Sequence, residues 1–118
     1  MIAHVVLFDL KPALTAGERH AFMAAFMRAM AEVPSVRDVR VGRRTSIGAA
    51  YETAEDVFSF VAVLEFENVA GLRQYLEHPV HAELGSIFWS STARSMVGDF
   101  TLAGNDLAHT LATWSSAV

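Results

Sequence analysis

The residues of this chain best equipped for chemistry crowd into one stretch, Tyr75-Leu76-Glu77-His78-Pro79-Val80-His81, which sets a phenol and two imidazoles around a proline. An imidazole has an unperturbed pKa of about 6.5 and can take or give a proton near neutral pH. A phenol can hold or protonate an oxygen on which negative charge develops. Together they suit proton abstraction beside a carbonyl, with His81 as general base and Tyr75 at the enolate oxygen. Proline disfavours the α region for the residue before it and suits the first turn of a helix. One helix should therefore stop ahead of Pro79 and a second begin with it, placing Tyr75 and His81 on consecutive helices beside one junction.

Each of these residues also has a plain structural use. Tyr75 serves as a core aromatic with its hydroxyl reaching water, His78 as a cap for the following helix, and His81 as a partner for a backbone group. Metal ligation is a third reading, since His78 and His81 are three positions apart and His4 could complete an imidazole set. No carboxylate stands at a matching interval, so neither a metal nor a cofactor is expected. His20 and His109 read as surface groups, and Trp89 and Trp114 as core or dimer contacts.

The elements that must position these groups follow from periodicity. Ile2 to Leu10 reads as a strand with His4, Val6 and Phe8 on one face and Ala3, Val5 and Leu7 on the other, and both faces are apolar. Thr15 and Glu18 have capping-box spacing, after which Phe22, Met23, Phe26, Met27 and Met30 recur at helical intervals up to Pro34. Val36 to Arg44 reads as an edge strand, its Arg37, Arg40, Arg43 and Arg44 forming a basic strip that suits a solvated edge or, as the lesser reading, an anion or carboxylate site. Thr45 to Asp56 is a loop holding Gly48 and the acidic Glu52, Glu55 and Asp56. Val57 to Phe66 is a strand with Val57, Ser59, Val61 and Val63 on one face and Phe58, Phe60, Ala62, Leu64 and Phe66 on the other. Asn68 can cap a helix in which Val69, Leu72 and Leu76 share a face with Tyr75 at its border. Beyond Pro79, Val80, Leu84, Ile87 and Phe88 mark a second amphipathic helix with His81 on the same side. Arg94 to Leu102 reads as a final strand, and Leu107, Leu111 and Trp114 as a helix after Asp106 that covers its own subunit or a partner.

Strand, helix, strand, strand, helix pair, strand is the α+β plan of a ferredoxin-like fold, a four-stranded antiparallel sheet with helices on one face. The other sheet face is left apolar, and 53% hydrophobic residues against 19% charged is apolar for a small chain. A homodimer joined through sheet faces is the physical expectation. The formal charge of −4 speaks against a general nucleic-acid binder. The sequence holds no cysteine, which removes thiol redox chemistry and thiolate metal sites. The first apolar run meets Asp9 and Lys11 long before it could span a membrane and has no basic leader, so a soluble cytoplasmic protein without membrane partners is expected.

The opening Met1 to Phe8 with its His4, taken with the Tyr75 to His81 stretch, resembles the stress-responsive A/B barrel family over residues 1–102, leaving 103–118 as a C-terminal extension expected to be helical. The resemblance implies a dimeric α+β barrel. One branch of that family consists of cofactor-free polyketide cyclases, whose tyrosine and second histidine look like Tyr75 and His81 and whose first-strand histidine looks like His4. That branch carries a further histidine on the strand resembling Val57 to Phe66, where this chain has Phe60. Phe22, Phe26, Phe60, His78 and Phe88 are expected to line an apolar pocket for a hydrophobic small molecule. A lyase or cyclase acting on a small carbonyl compound is one functional expectation, and a non-catalytic stress-associated dimer or small-molecule binder is the other.

Overall fold

The computed structural model describes residues 1–54 and 57–114, so Glu55 and Asp56 of the acidic loop and positions 115–118 of the C-terminal extension lie outside the described residues. Four strands, β1 (Ile2–Leu10), β2 (Val36–Arg43), β3 (Phe60–Phe66) and β4 (Thr92–Thr101), form one antiparallel sheet in the order β2-β3-β1-β4. Three helices, α1 (Ala16–Glu32), α2 (Val69–Glu77) and α3 (Pro79–Ser91), cover one face, and α4 (Leu107–Trp114) follows β4. This is the expected ferredoxin-like α+β arrangement.

Local chemistry sets most of the boundaries. The α1 start carries a complete capping box, in which the Glu18 N–H donates to Thr15 Oγ1 (3.1 Å) and the Thr15 N–H donates to Glu18 Oε1 (3.0 Å). The Asn68 side chain accepts from the Gly71 N–H at the head of α2. At the α2–α3 junction a single residue, His78, closes one helix and opens the next, and its Nδ1 accepts the Val80 N–H at 3.1 Å. Pro79 lacks an N–H and so costs nothing in that first turn.

The central strand β1 lies between β3 and β4, with His4 opposite Leu64 and Asp99, and Phe8 opposite Phe60 and Ser95. Ala62, Leu64 and Phe66 are buried beneath the helices together with Leu72, Tyr75, Val80 and Leu84. Alternation then places Val5, Leu7, Val61 and Val63 on the opposite face, where Met96 and Phe100 are exposed.

The elements differ from the sequence reading where tertiary contacts override local pattern. The strand expected from Val57 begins only at Phe60, because residues 57–59 are held toward β1 by the side chains of Asp9 and Arg94 in place of backbone ladder bonds, although the Ser59 carbonyl still accepts the Arg44 N–H (2.8 Å). Asp9 accepts the Ser59 N–H (2.8 Å) and the Arg94 Nε–H (2.6 Å), while Arg94 also donates to the Val57 carbonyl and lies 4.3 Å over the Phe58 ring. The Arg94 hydrogen bond holds the Asp9 carboxyl below its usual range. In α2 the buried face is Leu72 with Tyr75, whereas Val69 and Leu76 flank it in solvent. In α1 the fully buried positions are Ala25 and Ala29, with Phe26 and Met30 packed beside them, while Met23 and Met27 are exposed. The small side chains let α1 close against α3, its principal neighbour. Trp89 is exposed and not a core residue.

The C-terminal helix forms after Asp106, which caps it through the His109 N–H, but none of its residues is buried against the subunit. Leu107 is 69% and Leu111 64% exposed. Cover of its own subunit is therefore absent among the described residues. A radius of gyration of 16.2 Å reflects this outlying helix, since a globular chain of this length has one of about 13 Å.

With Ala29 at 0% exposure in the hydrophobic core, Ala29→Leu is expected to destabilise the fold by about 1–3 kcal/mol through overpacking. Met27→Leu on the exposed side of the same helix should change stability by less than about 0.5 kcal/mol. Urea unfolding of both variants with an unchanged denaturant slope checks this assignment.

Candidate functional site

Between the sheet and the helices lies a cavity of about 650 Å³ lined almost wholly by apolar side chains. Its middle is an aromatic girdle in which Phe8 stacks on Phe60 (centroids 5.5 Å, interplanar angle 27°) and meets Phe22 at 5.9 Å and Phe88 edge-on at 5.7 Å. Phe26 also lines the wall, and Met23, Met27 and Trp89 form exposed parts of the lip. Phe60 supplies an apolar stacking surface to the cavity wall.

The polar groups of the cavity gather four residues along β1 from that girdle, around Tyr75. The Tyr75 ring stands between two imidazoles, with its centroid 4.7 Å from His81 at 69° and 5.8 Å from His4 at 65°. Tyr75 reaches this place because the buried face of α2 points it onto Phe66 (5.5 Å). His81 arrives in the first turn of α3, directly after the Pro79 junction, and its backbone N–H bonds the His78 carbonyl (2.9 Å). His4 arrives from β1 and is buried.

A fourth group joins them that the sequence reading did not single out. Asp99 is the direct cross-strand partner of His4, and its Oδ1 lies 2.6 Å from His4 Nδ1. A carboxylate can only accept, so the Nδ1 proton of His4 is directed at Asp99 and the other ring nitrogen faces away from it. The usable signal was the period-two alternation of the last strand, which places Asp99 on the face of Val97.

Electrostatics separates the tyrosine from the histidine. Burial at 3% exposure pushes the Tyr75 phenol up to about 12, so it is a neutral donor across the physiological range. Desolvation lowers the His81 pKa, repulsion from neighbouring His4 lowers it further, and the Leu76 backbone opposes both. His81 is therefore a neutral imidazole at pH 7. A neutral base beside a neutral acid is an arrangement competent for proton transfer.

His78 is not among the cavity-lining residues, because its ring is turned to the Val80 N–H as the α3 cap. Among the described residues no group of three or more histidines, aspartates or glutamates gathers as a metal site. No described helix is long and apolar enough to cross a membrane.

Comparison with known proteins accords with this geometry. Olivetolic acid cyclase of Cannabis sativa is 20% identical over 100 residues, which cover 85% of this chain and 95% of that protein. The hydroxynitrile lyase of Passiflora edulis superposes with a TM-score of 0.73 at 19% identity, covering 88% of this chain and 94% of the other. A dimeric ferredoxin-like protein of unknown function from Thermobifida fusca gives 0.65 at 23% identity, covering 86% and 90%. Residues 2–102, from the strand bearing His4 to the end of the strand bearing Asp99, match the model of the stress responsive A/B barrel domain, and the chain belongs to that family.

Proposed function

We propose that this protein is a cofactor-free lyase or cyclase acting on a small carbonyl compound with an apolar body. The observation that carries the reading is the Tyr75–His81 pair, 4.7 Å between ring centroids, at the polar end of an otherwise apolar cavity. In this reading neutral His81 removes a proton from the carbon beside the substrate carbonyl, and the electron pair moves onto the carbonyl oxygen. Tyr75 donates its hydroxyl hydrogen to that oxygen as the charge grows. The enolate then collapses, its carbon either bonding to a second carbonyl carbon whose oxygen becomes an alkoxide or expelling an alkoxide from the β-carbon. The proton held by His81 goes to that oxygen while Tyr75 keeps its own proton, and both groups return to their starting state. Burial favours the basic, unprotonated form of His81, and His4, held by Asp99, adds to that electrostatically. The names of the cyclase and the lyase among the similar proteins support this class of chemistry.

The second reading is a binder of hydrophobic small molecules without turnover. The size of the cavity and its exposed methionine lip favour it, since Met side chains adapt to varied apolar shapes. A thermal-shift and turnover screen over β-keto acids, aromatic aldehydes and cyanohydrins separates the two. Saturable stabilisation with no product formed selects the binder.

The same proposal includes a homodimer joined through the open sheet face. Val61 and Val63 share that face with Val5 and Leu7, and dimeric proteins occur among the structural neighbours. Val63→Glu would bury an unpaired charge there at a cost of roughly 3 kcal/mol or more. Light scattering should then report half the wild-type mass, and an undisturbed dimer would refute the interface.

For the active compound found in the screen, His81→Ala and Tyr75→Phe should each lower kcat by about 10²–10⁴-fold. The melting temperature of Tyr75→Phe should stay within a few degrees of wild type. Comparable losses of stability and activity would return both residues to a packing role. Because the working form of His81 is deprotonated and its pKa is lowered, the acid limb of kcat/KM should fall below the ordinary imidazole value of about 6.5. An acid limb above that value would remove His81 as the base.

A further inference from the structure

Apart from His4, Tyr75 and His81, the largely apolar cavity is lined by two cations, Arg19 from α1 and Arg43 from β2. Neither guanidinium makes a hydrogen bond or ion pair among the described residues. That separates Arg43 from the rest of the basic strip, where Arg37 pairs with Glu67 (3.5 Å), Arg40 with Asp38 (3.3 Å), and Arg44 donates to the Glu52 carbonyl (2.9 Å). Register locates Arg43. It pairs with Phe60, which pairs with Phe8, so it sits level with the aromatic girdle. Arg19 lies one turn before Phe22, whose ring packs on Phe8, and so belongs to the same level.

His4 is four strand residues from Phe8, a separation of about 13 Å at the usual rise per residue. The uncharged acid–base pair therefore lies well apart from a second zone, where the aromatic girdle and two cations without partners among the described residues stand at one level.

We propose that the natural ligand is an amphipathic oxyanion whose carboxylate or phosphate is held by Arg19 and Arg43 while its apolar body passes the phenylalanines. The held end then determines which carbon lies beside Tyr75 and His81. This rests on the reading of the cavity as the reaction site and adds the charge and polarity of the substrate to it. Arginine suits the role because its planar fork binds both oxyanions and stays charged at every working pH.

Isothermal titration of the full chain with decanoate, decyl phosphate and decanol, each below its micelle concentration, tests the proposal. At least one anion should bind about tenfold more tightly than decanol, the scale of a charge-assisted hydrogen bond. The tighter of the two anions identifies the headgroup. In Arg19→Gln with Arg43→Gln that preference should vanish while decanol affinity holds, which shows that the cavity is intact. Equal affinity of all three probes for the wild type would overturn the anion site and leave the apolar cavity standing. Retention of the anion preference in the double variant would also overturn it. Failure of every probe to bind would defeat both the anion site and the cavity reading beneath it.

Discussion

The registration of β1 between β3 and β4 is the constraint from which the rest follows. A strand shows alternate residues to opposite faces, so His4, Val6 and Phe8 go beneath the helices together, and Val5 and Leu7 go to the open face together. A slip of one residue would exchange the two sets. His4 would leave the cavity, Asp99 would lose its partner, and a valine would stand where an imidazole now meets Tyr75. The apolar packing of Leu64 and Phe66 that secures the fold is thus the same contact that holds the acid–base group in place. Stability and site geometry cannot be separated on this sheet.

Much of this was legible in the residues themselves. Thr15 with Glu18, Asn68 and Pro79 announce three helix starts through local hydrogen bonding and fixed backbone angles, and such signals survive any tertiary context. The alternation of β1 and β3 is equally local. What was hidden depended on partners distant in sequence. The strand pattern of residues 57–59 is lost to Asp9 and Arg94, and the Met23 and Met27 part of the α1 stripe is exposed while Ala25 and Ala29 are buried. Asp99 is hidden for the same reason, since the alternation of its own strand gives its face but not that His4 lies across from it.

The site itself shows which part of a histidine pattern is informative. His78 and His81 have the same residue type and a suggestive spacing, yet one is consumed by the helix it starts and the other is free to face the cavity. The difference lies in their position relative to Pro79. A side chain at the cap must satisfy the exposed N–H groups of the first turn, whereas one three residues later has left them behind. Electrostatics completes the distinction, because burial makes the neutral form of both Tyr75 and His81 the stable one.

The junctions on either side of α3 contain almost no chain. His78 alone joins α2 to α3, and Ser91 passes directly into Thr92 of β4, with the Lys11 N–H bound to the Ser91 carbonyl. Tyr75, His81 and Asp99 thus ride on one uninterrupted run of regular structure. Little ordering entropy is left to be lost there when a molecule enters, and the arrangement is preorganised in the sense that matters for rate. Adaptation must come from the other side, where the unbranched thioethers of Met23 and Met27 and the exposed Trp89 can repack. Such a molecule separates its tolerances. It can accept differently shaped guests at the rim without loosening the atoms on which they would react, so breadth of recognition and fidelity of chemistry need not compete.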